Sequence, residues 1–185
     1  ARTIVPLLKE LKSPDIIVES ARNMLLKWNF TLDKNSVEAA IYSAWEKRIY
    51  ENMLTLLVPE NARKQIRSLE LTKTISWITS PRAEFGTDPV AGRDQFLLSS
   101  LQQAVDHLTT KLGVDMKKWK YGQKKYHHVL IKHPLSNAVD AVTRKKLEGG
   151  PLPRGGNGST AGMTTNSENQ LSGASFRIAV DTEDW

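Results

Sequence analysis

The sequence predicts a mainly α-helical chain with a small β component, and three observations carry that reading. Through the first two-thirds, apolar residues recur at helical spacing. After Gly113 the character changes to a β-rich run followed by a glycine-rich loop. Finally, Ser172 to Asp181 alternates apolar and polar residues as a half-buried strand does. With 185 residues, 39% hydrophobic and 25% charged, the composition is that of a globular chain with room for a core, not of a disordered one.

Taken in order, Ser13-Pro14-Asp15 reads as a helix start: Ser13 as N-cap, Pro14 at the first helical position and an acid in the first turn. Ile17, Ala21, Met24, Leu25 and Trp28 follow at helical spacing. Asn35 and Glu38 have the spacing of a capping box. Beyond them Val37, Ala40, Ile41, Ala44, Trp45, Ile49, Met53 and Leu56 form one apolar stripe, which Pro59 closes. A shorter helix is expected from Leu69 to Thr79, stopping before Ser80-Pro81. Another is expected from about Asp94 to Leu112, with Leu97, Leu101, Ala104, Val105, Leu108 and Leu112 on one face and Gly113 as its stop. Such helices pack on one another, and their Trp and Met residues are expected in the core. Tyr126 to Ile131 reads as a strand, Asn137 to Leu147 as a short helix and Gly149 to Gly162 as loop.

No apolar run approaches the roughly 20 residues of a membrane-spanning helix, so no membrane partner is expected. The chain has no cysteine, which excludes disulfides and thiolate metal sites. Its net charge of +6 comes from 26 basic and 20 acidic residues, mostly intermingled. One stretch is denser: Lys117, Lys118, Lys120, Lys124, Lys125 and Lys132 surround Trp119, Tyr121 and Tyr126. Basic residues interleaved with aromatics could grip an anionic polymer. The plainer reading is a solvated ribbon with its aromatics turned into a core. The first reading makes the chain a stand-alone helical binding module for an anionic partner; the second expects no nucleic-acid partner.

The sequence carries no complete catalytic motif. There is no Gly-x-Ser-x-Gly elbow, since Ser159 and Ser175 have glycines at the wrong spacing, and no phosphate loop. Of the histidines (His107, His127, His128 and His133), His127 and His128 would face opposite sides of a strand. His127 and His133 would share a side about 20 Å apart, so no metal site is expected. His133, before Pro134, reads as structural. Acids such as Glu46 and Glu51 read as solvent-facing charge. In the loop, Gly155-Gly156-Asn157-Gly158 supplies turns at positive φ, and such a loop also lets backbone approach a ligand closely. The strand at Ser172 to Asp181 needs partners, and the sequence offers one or two other candidates. It is expected to join a sheet whose other members lie outside this chain.

At this loop and strand a family resemblance emerges. Arg154-Gly155-Gly156-Asn157-Gly158-Ser159-Thr160, then Gly173 to Asp181 and Asp184-Trp185, resemble the C-terminal part of the β-subunit of penicillin acylases, related to acyl-homoserine-lactone and cephalosporin acylases. His133-Pro134-Leu135, and the helical stretch of Leu26-Lys27-Trp28, Ala39-Ala40 and Trp45, fit the same pattern; Asn157 stands where the family more often has Asp. The resemblance implies an N-terminal-nucleophile hydrolase with an αββα fold, self-cut into α- and β-subunits. Its N-terminal Ser, base-activated by its own α-amine, forms an acyl-enzyme. None of those catalytic positions maps onto this chain, and Ala1 has no hydroxyl. What the resemblance implies is therefore a piece of an amidohydrolase, inactive alone, without cofactor, acting in the periplasm or outside the cell. Its partners would be the α-subunit and the rest of the β-subunit. Residues 1–148 would be its helical region, 149–171 the glycine-rich loop and 172–185 a strand of the core sheet. Asn157, Ser159 and Arg177 are the candidates to line a substrate pocket; no residue is assigned as catalytic.

Overall fold

A computed structural model describes residues 1–160 and 167–171. The chain forms two compact units: Ala1–Thr31 with Val37–Trp119, and Leu32–Ser36 with the chain from Lys120 onward. The described residues are mainly helical, with five α-helices and one two-stranded sheet.

The first unit is helical. Its helices are α1 (Ile16–Leu26), α2 (Val37–Leu57), α3 (Leu71–Thr79) and α4 (Pro89–Leu112), with 3-10 turns at Val5–Leu8, Glu60–Ala62, Ala83–Phe85 and Met116–Lys118. The longest pair, α2 and α4, packs together most extensively, and α1 rests on both. Ala40, Ile41, Ala44, Trp45, Ile49 and Met53 of α2 are buried, as are Leu97, Leu101, Ala104, Val105 and Leu108 of α4. The Trp45 indole N–H donates to the Leu97 carbonyl at 3.0 Å, and Asn52 Nδ2 donates to Ser100 Oγ at 2.9 Å. Beside them Trp28, Tyr42 and Trp45 form an aromatic chain, with ring centroids 5.0 and 6.4 Å apart. The core reading thus holds for Trp28, Trp45, Trp119 and Met53.

Four helix starts differ from expectation, that of α3 only by moving from Leu69 to Leu71. The cap of α1 is Asp15, not Ser13: its Oδ1 accepts from the N–H groups of Ile17 and Val18 at 2.8 and 3.0 Å. The buried face of α1 is Val18, Ala21, Arg22 and Leu25, and Ile17 is exposed. For α4, Asp88 is the cap and Pro89 the first helical residue, so the helix starts five residues before Asp94. The Pro89-Val90-Ala91-Gly92 turn carries no apolar stripe, which hid it from periodicity; the Asp-Pro pair is its signal. Finally, Pro134–Asn137 is a 3-10 turn, and α5 runs only from Ala141 to Leu147 because Asp140 caps it.

Arg22 on the buried face of α1 requires compensation. Its Nη1 donates to the Leu8 carbonyl at 2.8 Å, while Nε and Nη2 donate to the two oxygens of Glu19 at 2.9 and 2.6 Å. Those bonds, helped by the Ser13 N–H, hold the Glu19 carboxyl down at about 2, against an ordinary 4.5. A depressed folded pKa stabilises the fold above the unfolded value, and that contribution is lost as pH falls through the folded one. We therefore expect stability to fall between about pH 4.5 and 2. Urea midpoints across this range should fall less steeply for Glu19→Gln; parallel slopes would show that Glu19 does not carry the effect.

In the second unit, β1 (His128–Ile131) pairs antiparallel with β2 (Gly149–Pro153). His128 faces Pro153 and Val129 faces Leu152, with an irregularity before Ile131 meets Gly149. The start of the stretch read as loop is thus a strand, its glycine and proline content having masked the pairing. The peptide bond Gly150–Pro151 is cis. The expected strand at Tyr126 shortens to His128, because Tyr126 and His127 turn inward ahead of it and are buried. The alternating strand read over residues 172–181 lies outside the described residues.

Candidate functional site

The glycine-rich loop is built onto a small backbone lattice. The Tyr121 N–H donates to the Ser36 carbonyl at 3.0 Å and the Gly122 N–H to Lys34 at 2.7 Å. The N–H groups of Arg154 and Gly156 donate to His127 and Leu32 at 3.3 and 2.8 Å. Inside it the His127 imidazole stacks on the Tyr121 ring, centroids 4.0 Å apart and planes 9° apart, with the Tyr126 ring edge-on at 4.3 Å. Tyr121, Tyr126 and His127 are buried here, and Trp119 is buried in the helical unit, where its indole N–H reaches the Gly113 carbonyl at 2.7 Å. The six lysines around them are exposed. These aromatics are therefore inside and present no face on which a base could stack.

Arg154 is the side chain that sequence reasoning missed. An arginine beside Pro153 and two glycines reads as surface; the structure leaves it only 5% exposed. Nη1 donates to the Gly156 carbonyl at 2.7 Å, and the Tyr121 hydroxyl donates to the same oxygen. Nη2 donates to the Ser167 carbonyl and to His127 Nδ1, the latter at 3.2 Å. A guanidinium only donates, so His127 Nδ1 is unprotonated and the neutral ring carries its proton on Nε2. Nε is buried with no hydrogen-bond partner, and among the described residues no carboxylate pairs with the group.

The next residues make the turn. Gly156 has φ +69°, as the run of glycines anticipates. The Ser159 N–H donates to Asn157 Oδ1 at 3.1 Å, the Asn157 N–H to Thr160 Oγ1 at 3.1 Å and the Thr160 N–H to the Asn157 carbonyl at 2.9 Å. Asn157 and Ser159 are thus brought into one turn, Asn157 half-buried and Ser159 exposed. The Asn157 amide oxygen makes the bond a carboxylate oxygen could make there. Arg177 lies outside the described residues.

The other candidates are dispersed. His133 Nδ1 accepts the Leu135 N–H at 3.1 Å and so caps the 3-10 turn, a structural role. His127 is not in the strand and His133 lies beyond its end, so the pairings imagined along one strand do not arise. Among the described residues no three His, Asp or Glu side chains converge as metal ligands. Glu51 is exposed and pairs with Arg48 at 2.6 Å. Glu46 is not simply solvent-facing: it accepts the Tyr42 hydroxyl at 2.7 Å and lines a pocket of about 90 Å³ with Tyr50, Ile49, Ile75 and Ile78. Burial, and then the Glu46 charge, push the Tyr50 phenol up to about 12 and raise Tyr42 further. Both phenols therefore stay protonated and inert as bases at neutral pH.

No helix among the described residues is long and apolar enough to cross a membrane. No curated protein matches the chain. The sequence model of one family, described as Penicillin amidase, matches residues 1–185, the whole length given. That match spans the helical stretch, the loop and the alternating segment from which the resemblance was read. The chain belongs to the penicillin amidase family, and so to the acylase-type amidohydrolases.

Proposed function

We propose that this chain is part of an enzyme that cleaves N-acyl amide bonds, in β-lactam side chains, acyl-homoserine lactones or similar substrates. In this reading an N-terminal Ser outside these residues attacks the amide carbonyl. Its own α-amine acts as base, and water then releases the acid from the acyl-enzyme. The rest of the β-subunit and an α-subunit complete the site, and the enzyme works in the periplasm or outside the cell. The single observation that carries the reading is the family match over residues 1–185. Residues 1–148 form the scaffold, and 149–171, with the turn at Asn157, borders the acyl pocket. Residues 172–185 join the core sheet, with Arg177 beside that pocket.

The loop's place is testable in the complete enzyme. With a chromogenic N-acyl amide we expect Asn157→Ala to lower kcat/KM about tenfold and Ser159→Ala two- to threefold, mainly through KM. Unchanged kinetics in both variants would remove the loop from the pocket. The isolated 185-residue chain should show no turnover; hydrolysis by it alone would overturn the division of labour proposed here.

A further inference from the structure

We infer that Arg154 is a positioning residue for this loop, a buried cationic clamp that fixes where Asn157 and Ser159 stand. The inference rests on the reading that the loop borders the acyl pocket. Arg154 leaves the sheet just after β2, yet its guanidinium turns back into the unit instead of out to water. It joins three points of the chain: His127 before β1, Gly156 two residues beyond Arg154, and Ser167 thirteen residues beyond it. Among the described residues every acceptor is neutral, and Nε makes no hydrogen bond. Removing a buried charge from water without an opposing charge is unfavourable. A group whose function was only to fill space would be better apolar. The planar fork is what the position uses, because no other side chain donates in several fixed in-plane directions at once.

The carbonyl it holds is the informative one. The Gly156 oxygen receives both the Arg154 Nη1–H and the Tyr121 hydroxyl, while the Gly156 N–H is bound to the Leu32 carbonyl. Both faces of this residue's peptide geometry are therefore fixed, although φ +69° at a glycine is soft by itself. The following residue is Asn157. Rotation of the 156–157 peptide would swing the whole turn that Asn157 and Thr160 close. The Tyr121 ring is locked in turn by its stack on His127, whose Nδ1 is held by the same guanidinium. Arg154 thus acts on the loop directly and through Tyr121.

The test compares Arg154→Lys, Tyr121→Phe and Asn157→Ala in the complete acylase, far below each variant's melting temperature. Lysine keeps the charge and loses the fork. Phenylalanine keeps the stack and loses one of the two bonds to Gly156, so it remains informative if the lysine variant does not fold. We expect Arg154→Lys to raise KM for a short N-acyl amide about tenfold, with kcat changed less than about twofold, and Tyr121→Phe to move KM the same way by less. A merely structural role would lower Tm and leave KM where it was. If Asn157→Ala raises KM while neither clamp variant does, the clamp is overturned and the loop's place at the pocket stands. If none of the three moves KM, the loop does not border the pocket, and the clamp's functional role falls with it.

Discussion

Replacing Trp45 by alanine is expected to destabilise the helical unit by about 3–5 kcal/mol. Trp45 lies on the apolar stripe of α2, has no exposed surface and faces the longest helix of the unit. The substitution removes the indole's packing, its edge-on contact with Tyr42 at 6.4 Å, and the hydrogen bond to the Leu97 carbonyl at 3.0 Å. Collapse around the hole is limited because Ile41, Ile49, Leu97 and Leu101 are already buried in regular helices. Trp45→Phe separates the terms: it retains most of the apolar area and loses the hydrogen bond, worth about 1 kcal/mol, plus a smaller packing loss. Urea denaturation followed by helical circular dichroism measures both. Since folded domains hold about 5–15 kcal/mol in all, the loss is a large share of the total and should lower the urea midpoint of the alanine variant well below that of the parent. A loss under about 1 kcal/mol for Trp45→Ala would mean that α2 and α4 do not meet through this side chain.

Periodicity made the helical unit legible wherever a long stripe was present. Ala40 to Met53 and Leu97 to Leu108 are buried as read, because a helix packed on helices must keep one apolar face. It failed where the buried face is not apolar. Arg22 is inside because Glu19, three residues away on α1, and the Leu8 carbonyl satisfy it, and the Leu8 contact forms only once α1 meets the turn at Val5–Leu8. The loop shows a similar division. Its glycines, and the turn they open before Asn157, were readable, and the family resemblance came from the same residues. Arg154 was not readable, since most of what fixes its side chain comes from residues 13 to 33 positions away: Tyr121 across the Gly156 carbonyl, His127, and Ser167. Likewise β2 looked like loop because Gly149, Gly150, Pro151 and Pro153 are poor strand formers, and only pairing with β1 makes the segment a strand.

Gly92 offers a test in which two physical effects oppose each other in sign. It sits in the first turn of α4, where alanine is favoured over glycine by about 0.5–1 kcal/mol on backbone entropy alone. On propensity, Gly92→Ala should stabilise. The close approach of the 3-10 turn at Ala83–Phe85 reverses this. A Cβ on Gly92 would lie 1.9 Å from the Phe85 carbonyl oxygen and 2.8 Å from its carbonyl carbon. The obstacle is backbone, so no rotamer change relieves it. The turn is also pinned by the edge-on contact of Phe85 with Phe96 at 5.5 Å. Either α4 must shift or the turn must detach, and the net loss should be about 1–3 kcal/mol, seen as a lower Tm and a smaller urea midpoint. Combining Gly92→Ala with Phe85→Ala should cost less than the sum of the two, since releasing the Phe85 ring frees the turn to move. A rise in Tm for Gly92→Ala would show instead that propensity governs this turn and that Phe85 does not press against it.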